Sequence, residues 1–222
     1  EKLRAPADPG SLSGMAGFGI STQRSLGVTV PRLRSLAREI GVDHSLAARL
    51  WEAALRETRL LATMVDDPRL VTEEQAERWV GDLDSWDVCD GCCMFLARAD
   101  LAPRKCIEWS SSEEEFVKRA GFVLMARLAV GDKRAEDELF EEFLPIIKRE
   151  STDQRNYVRK GVNWALRQIG KRNSALNRKA IEAARETQRI NSSSARWIAS
   201  DALRELTGQA VQERLLAKER DK

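Results

Sequence analysis

The sequence predicts an all-α chain built as an array of repeating helix pairs. Three observations carry that expectation. Apolar residues recur at helical spacing from about Pro31 to near the C-terminus, and strand-like alternation is nearly absent. A stretch beginning at Phe116 aligns with one beginning at Tyr157. Six Trp and six Phe anchor a core in 222 residues, and 32% charged content balanced to a net +2 excludes a disordered chain.

The elements follow in order. Pro31 suits a first helical turn and opens a helix to about Ile40, stopped by Gly41. Helical spacing then covers roughly Ser45–Val65 with a break near Glu52–Glu57, and Thr72–Leu83, where Thr72 and Gln75 make a capping-box pattern. Ser85 is placed to cap a helix to about Ala99, and Pro103 starts a short one. Ser112 with Glu115 gives a second capping-box pattern, opening a long helix to about Val130. Further helices fill Ala135–Arg149, Asp153–Gly170, Ser174–Gln188, Ser193–Leu206 and Gln209–Lys218.

Phe116–Leu128 aligns with Tyr157–Ile169 at an offset of 41, and Arg196–Leu206 is a weaker copy a further 37 residues on. Helix pairs repeating at about 40 residues mark a HEAT-like solenoid. One pair cannot bury its apolar face alone, so neighbours stack into a superhelix, and equivalent positions line one concave side. No linker is long enough to divide the array, so residues 15–222 are expected to form a single repeat domain after a flexible segment at 1–14. The longest apolar stretch, Gly121–Val130, is about half a membrane span and contains Arg127, and the polar N-terminal segment has no secretory pattern. Cys89, Cys92, Cys93 and Cys106 lie in apolar helical context and read as buried thiols in a reducing compartment. A cytoplasmic monomer without membrane association is expected.

Charge is unevenly spread. Residues 1–111 hold 14 basic and 17 acidic groups, whereas residues 112–222 hold 23 and 18. Within Ser151–Arg189, ten Lys and Arg face three acids. A surplus of that size attracts a polyanion, although a solvated helical face accounts for such runs equally well.

One constellation combines the residue types that a nucleic-acid site uses. Trp86 and Asp90 are four apart and share a helix face, while Asp87 sits one position round, placed to favour the helix N-terminus. Arg119 and Lys160 occupy the same position in two successive repeats and are expected to line one surface. Trp164 is four residues after Lys160, and Arg167 lies one turn further on. A carboxylate, two large aromatics and a row of cations along one groove suit nucleic acid. Each Trp taken singly is more often a core residue than a ligand contact.

At these residues the sequence resembles the DNA alkylation repair enzyme family, the AlkD-like glycosylases built from HEAT-like repeats. The match runs from Phe18 to about Arg204. It includes Gly27-Val-Thr-Val-Pro-Arg-Leu-Arg34, Leu50-Trp-Glu52 with Arg56-Glu-Thr-Arg59, Ser85-Trp-Asp-Val-Cys-Asp90, Phe116-Val-Lys-Arg119 and Gly161-Val-Asn-Trp-Ala-Leu-Arg167. The resemblance implies hydrolysis of the N-glycosidic bond of cationic N3- and N7-alkylpurines in double-stranded DNA, without a cofactor. It puts the catalytic aspartate on Asp90, the lesion-facing tryptophans on Trp86 and Trp164, and a backbone-contacting arginine on Arg119. Phe18 matches an aromatic that is often Tyr in relatives. Tyr157 keeps one of two aromatics ahead of the second tryptophan, and Asn156 replaces the other.

The chemistry fits those residues. Alkylation makes the purine a cationic leaving group, so what remains is to stabilise positive charge on the sugar and place a water, as a carboxylate can. Indole faces hold a cationic base by cation–π contact. Phe18, Arg119, Tyr157, Arg159, Lys160 and Arg167 are the expected DNA contacts, and cations on phosphates make affinity salt-dependent. An open groove offers no pocket for a flipped base.

Other readings stay in view. Cys89, Cys92 and Cys93 with Cys106 invite a zinc site, but a lone CxxC inside a helix lacks the second paired knuckle, and no metal is expected. Glu57 and Arg59 match a family position, yet a helix-surface ion pair or a repeat-to-repeat salt bridge explains them equally well. A nuclease needs clustered carboxylates, and helical spacing spreads Asp84 and Asp87 away from Asp90. The rival function is a non-catalytic HEAT-like scaffold for DNA or protein, against which the retention of Asp90 with Trp86 and Trp164 weighs.

Overall fold

A computed structural model describes residues 14–17, 20 and 22–220. Phe18 and residues 1–13 of the segment expected to be flexible lie outside the described residues. Among those described, the chain is helical and contains no strand, and no helix is long and apolar enough to cross a membrane. The chain packs as two compact units, Glu1–Ala99 and Asp100–Lys222.

The first unit holds α1 (Val30–Ile40), α2 (His44–Glu52), α3 (Arg56–Val65), α4 (Glu73–Gly81) and α5 (Trp86–Leu96). The break expected near Glu52–Glu57 is the turn between α2 and α3. Asp43 caps α2 by accepting from the Leu46 N–H at 2.8 Å, and Thr72 caps α4 by accepting from the Gln75 N–H at 3.1 Å. The reciprocal half of that capping box is not made. Gln75 Nε2 donates instead to Asp66 Oδ2 at 2.7 Å, and His44 Nδ1 meets the other Asp66 oxygen at 2.6 Å. Ser85 holds the N-cap position of α5, but its hydroxyl donates to Asp87 Oδ1 at 3.0 Å.

Helix α3 is the hub of this unit, packing on α1, α2 and α5. Every residue of α3 except Met64 is buried, including Arg56, Glu57, Thr58 and Arg59. Polar groups removed from water require partners, and all four side chains find at least one, although Arg59 Nε is left without a hydrogen bond. Glu57 is 0% exposed; one carboxylate oxygen accepts from Ser25 Oγ at 2.6 Å and the Gly27 N–H at 3.1 Å, the other from the Leu26 N–H at 2.8 Å. Gly27 has φ 75°, a left-handed conformation open to glycine, where this loop folds onto the carboxylate. The helix-surface pair expected of Glu57 is thus a buried clamp on residues 25–27. Arg59 does bridge elements, donating from Nη1 to the Asp82 carbonyl at 2.7 Å. Beside it, Trp51 and Trp79 stack with ring centroids 4.2 Å apart.

The second unit holds α6 (Ala102–Ser110), α7 (Glu115–Gly131), α8 (Asp137–Glu150), α9 (Asn156–Gly170), α10 (Ser174–Gln188), α11 (Ser193–Leu206) and α12 (Gln209–Arg220). Helices α6, α8 and α10 neighbour one another in one layer, α7, α9 and α11 in the other, and the two layers pack together. All three aligned repeat segments fall in the second layer. This is the helix-pair stacking of a HEAT-like array. The second capping box does not form. Ser112 Oγ accepts from the Glu114 N–H at 3.2 Å, and α7 begins only at Glu115, with no side-chain cap.

Polar contacts reinforce the repeat register. Arg119 to the Tyr157 carbonyl (2.8 Å), Lys148 to Glu186 (2.6 Å), Gln154 to Ser192 (3.1 Å) and Asn163 to Asp201 (2.7 Å) all join residues 38 apart. All four cysteines are buried and outside any disulfide, and burial pushes the thiols of Cys92, Cys93 and Cys106 well above their ordinary pKa. They pack within the apolar core, as the sequence predicts.

Two glycines of the second layer should respond oppositely to a methyl group. At Gly121 a Cβ would lie 2.6 Å from Ser110 N and 3.0 Å from the Cys106 carbonyl oxygen, whereas at Gly161 its nearest neighbour would be Phe122 Cβ at 3.4 Å. Gly121→Ala is expected to cost about 1–3 kcal/mol, because backbone must give way. Gly161→Ala removes a helix-interior glycine penalty of about 1 kcal/mol and is expected to be neutral or stabilising. Urea denaturation midpoints of the two variants check both signs.

Candidate functional site

Trp86 and Asp90 stand one turn apart on α5, both half-buried, as their spacing predicts. Asp87 sits in the first turn of the same helix, but its bonds run to α3. Arg56 Nε donates to Asp87 Oδ2 at 2.6 Å, with side chains 7% and 10% exposed, while the Ser85 hydroxyl holds the other oxygen. Arg56 Nη1 also approaches Glu57 Oε1 at 3.3 Å. A continuous polar chain therefore runs from the 25–27 loop through Glu57, Arg56 and Asp87 to the turn that carries Trp86 and Asp90. Sequence reasoning left Arg56 unassigned; its separation of 31 residues from Asp87 gives no local signal.

Apart from Phe18, which lies outside the described residues, the remaining expected site residues lie in the second unit, and they differ sharply in exposure. Arg119 and Lys160 align in the repeats, yet Arg119 is 5% exposed and Lys160 is exposed. The cause is the close approach of α9: a Cβ on Gly161 would lie 3.5 Å from the Arg119 carbonyl oxygen and 3.6 Å from its Cγ. Arg119 Nη1 then donates to the Tyr157 carbonyl, fixing the first turn of α9. The Tyr157 ring itself packs on Phe116 with centroids 5.3 Å apart.

Trp164 is half-buried on α9, and the Arg127 guanidinium lies over its ring at 4.8 Å. With the Gln168 amide turned to present its oxygen, Trp164 Nε1 donates to it at 2.8 Å. Arg127 was not singled out in the sequence, because its partner lies in the next repeat. Arg167, expected beside Trp164 as a free cation, is tied to α11: it contacts Asp201 Oδ2 at 3.2 Å and also pairs with Glu205. Lys171 Nζ reaches the other Glu205 oxygen at 2.6 Å. Arg159 makes no ion pair among the described residues; its guanidinium sits 5.1 Å over the Trp197 ring, and Nη2 reaches Asn156 Oδ1 at 3.3 Å.

The Ser151–Arg189 cations divide accordingly. Arg155, Arg167, Lys171 and Lys179 pair with carboxylates, and Arg172 donates to the Asp132 and Ala135 carbonyls, each at 2.6 Å. Lys160, Arg178, Arg185 and Arg189 are exposed and, among the described residues, make no ion pair.

Glu205 shows the electrostatic balance of this layer. Burial disfavours its charge, but hydrogen bonds from Arg167 and Lys171 outweigh that cost and hold its carboxyl below the usual value. A carboxylate with a lowered folded-state pKa stabilises fully above its unfolded value, about pH 4.3. That stability is lost as pH falls through the unfolded value towards the folded one. Melting temperature measured from neutral pH downward is expected to fall more steeply for wild type than for Glu205→Gln.

The comparisons with known proteins agree with this architecture. A protein of a new family related to the HEAT-like repeat DNA glycosylases, with affinity for branched DNA structures, superposes at TM-score 0.77 and 18% identity, covering 96% of this chain and 93% of that one. That likeness shows the fold. An uncharacterized protein of Listeria innocua is 23% identical over 195 residues, 86% of this chain and 85% of that protein. The sequence pattern of the DNA alkylation repair enzyme family matches residues 1–206, nearly the whole length. The helical repeats and this match establish that the chain belongs to the DNA alkylation repair enzyme family.

Proposed function

We propose that the chain is a DNA glycosylase that hydrolyses the N-glycosidic bond of cationic N3- or N7-alkylpurines in double-stranded DNA. The observation that carries this reading is the pairing of Trp86 with Asp90 on one half-buried face of α5, its orientation set by the Arg56–Asp87 contact. A cationic purine departs with the electron pair of the broken C1′–N bond and becomes neutral. Asp90 would stabilise the positive charge developing on the sugar and orient the attacking water, whose proton passes to the carboxylate or to solvent. The Trp86 face would hold the cationic base. Trp164 enters the reading as the second lesion-facing aromatic, stacked on one side by Arg127. Lys160 and Arg159 would meet phosphates, while Arg119 acts by positioning Tyr157 and Arg167 by bracing α9 on α11. Phe18 retains its proposed role from the family resemblance, and the proposed protein acts as a monomer.

A second reading has support of its own: binding of DNA without base release. The Arg127 cation already occupies a position over the Trp164 ring, where a cationic lesion would otherwise stack, and the solved relative is named for affinity to branched DNA.

One experiment separates them. Duplex DNA carrying a single 7-methylguanine is incubated with the protein, and free base and alkali-labile abasic sites are measured. Release by wild type and a loss of at least about 10²-fold in Asp90→Asn, with DNA affinity nearly unchanged, is the expected result. Lys160→Ala is expected to weaken binding and reduce its salt dependence by about one counterion. Salt-sensitive binding without release selects the second reading.

A further inference from the structure

Trp197 belongs to the weakest of the three repeat copies and was assigned no role there. On α11 it is 39% exposed, a large aromatic left partly in water. At the 37-residue offset it is the counterpart of Lys160, so the position that presents a cation on α9 presents an indole one repeat later. The Arg159 guanidinium from α9 is held over its ring at 5.1 Å, and Arg159 Nε is buried without a hydrogen-bond partner. Exposed Lys160 and Arg196 lie one residue along from Arg159 and Trp197 on their respective helices. The acid one turn beyond Trp197, Asp201, is engaged by Asn163, Arg167 and Arg204. The surface around this indole is therefore cationic, and its nearby carboxylate is neutralised.

We infer that Trp197, backed by Arg159, is a stacking subsite for an unpaired nucleobase of DNA, lying one repeat beyond Trp164. The inference rests on the reading that the chain binds DNA, and it adds the class of DNA structure preferred. A π-face accepts any base but only an unstacked one, since a base inside a duplex has both faces covered. The flanking cations hold the phosphates of the strand that delivers it, and Arg159 polarises and orients the indole from the α9 side.

The test compares wild type, Trp197→Ala and Trp197→Phe by fluorescence anisotropy. The probes are an undamaged duplex and the same duplex interrupted by a short run of unpaired bases. Loss of one base–aromatic stack corresponds to about a tenfold drop in affinity. That drop is expected for Trp197→Ala on the interrupted DNA, with less than about a twofold change on the intact duplex and most of the affinity kept by Trp197→Phe. Melting temperatures close to wild type are expected, because the side chain is exposed. An equal loss on both DNAs, or no loss on either, overturns the stacking subsite while leaving DNA binding in place. Failure of wild type to bind either DNA overturns the binding reading, and this inference with it.

Discussion

A carboxylate with no access to water governs the first unit. Glu57 sits at the start of α3, where burial of an unsatisfied charge would cost several kcal/mol, so everything that reaches it is constrained to stay. The loop at 25–27 gives it a hydroxyl and two backbone N–H groups, and Arg56 supplies the neighbouring cation. Because Arg56 is itself buried, it needs a second acid, which Asp87 provides from the first turn of α5. The orientation of the Trp86–Asp90 face thus follows from a demand for charge balance two helices away. Removing any member of the chain strips the next of one partner, so these contacts are coupled.

In the second unit, charge is divided between construction and display. Layers of helices 38 residues apart must hold register, and several cations that the sequence offers as a polyanion surface are used for that purpose. Arg167 and Lys171 brace α9 against Glu205, Arg172 ties the turn between α7 and α8, and Arg119 secures the head of α9. What remains outward is a smaller set around Lys160 and the end of α10. A tally of basic residues overstates the electrostatic surface, because the repeat fold consumes part of it.

The helices were legible because their signals are local. Pro31, Pro103 and Thr72 mark starts that the structure keeps, and the alignment of Phe116–Leu128 on Tyr157–Ile169 foretold the stacked pairs. Errors arose where a local pattern competed with a distant partner. Gln75 left its capping box for Asp66, and Glu57 was drawn inward by a loop 30 residues earlier. The contrast between Arg119 and Lys160 had a subtler origin. Equal repeat position implied equal exposure, but Gly161 lets the following helix settle directly on Arg119. Cation–aromatic pairs such as Arg127 with Trp164 need the spatial register before either residue suggests the other.

The sheltered cysteines carry a consequence for durability. A thiolate attacks an electrophilic methyl donor, displacing its leaving group, far more readily than a thiol does, so accessibility and acidity both set the rate. Cys89, Cys92, Cys93 and Cys106 have no exposed surface, and burial keeps at least three of them in the unreactive form. The folded chain therefore keeps its thiols, though not the thioether of exposed Met94, away from electrophiles in solution.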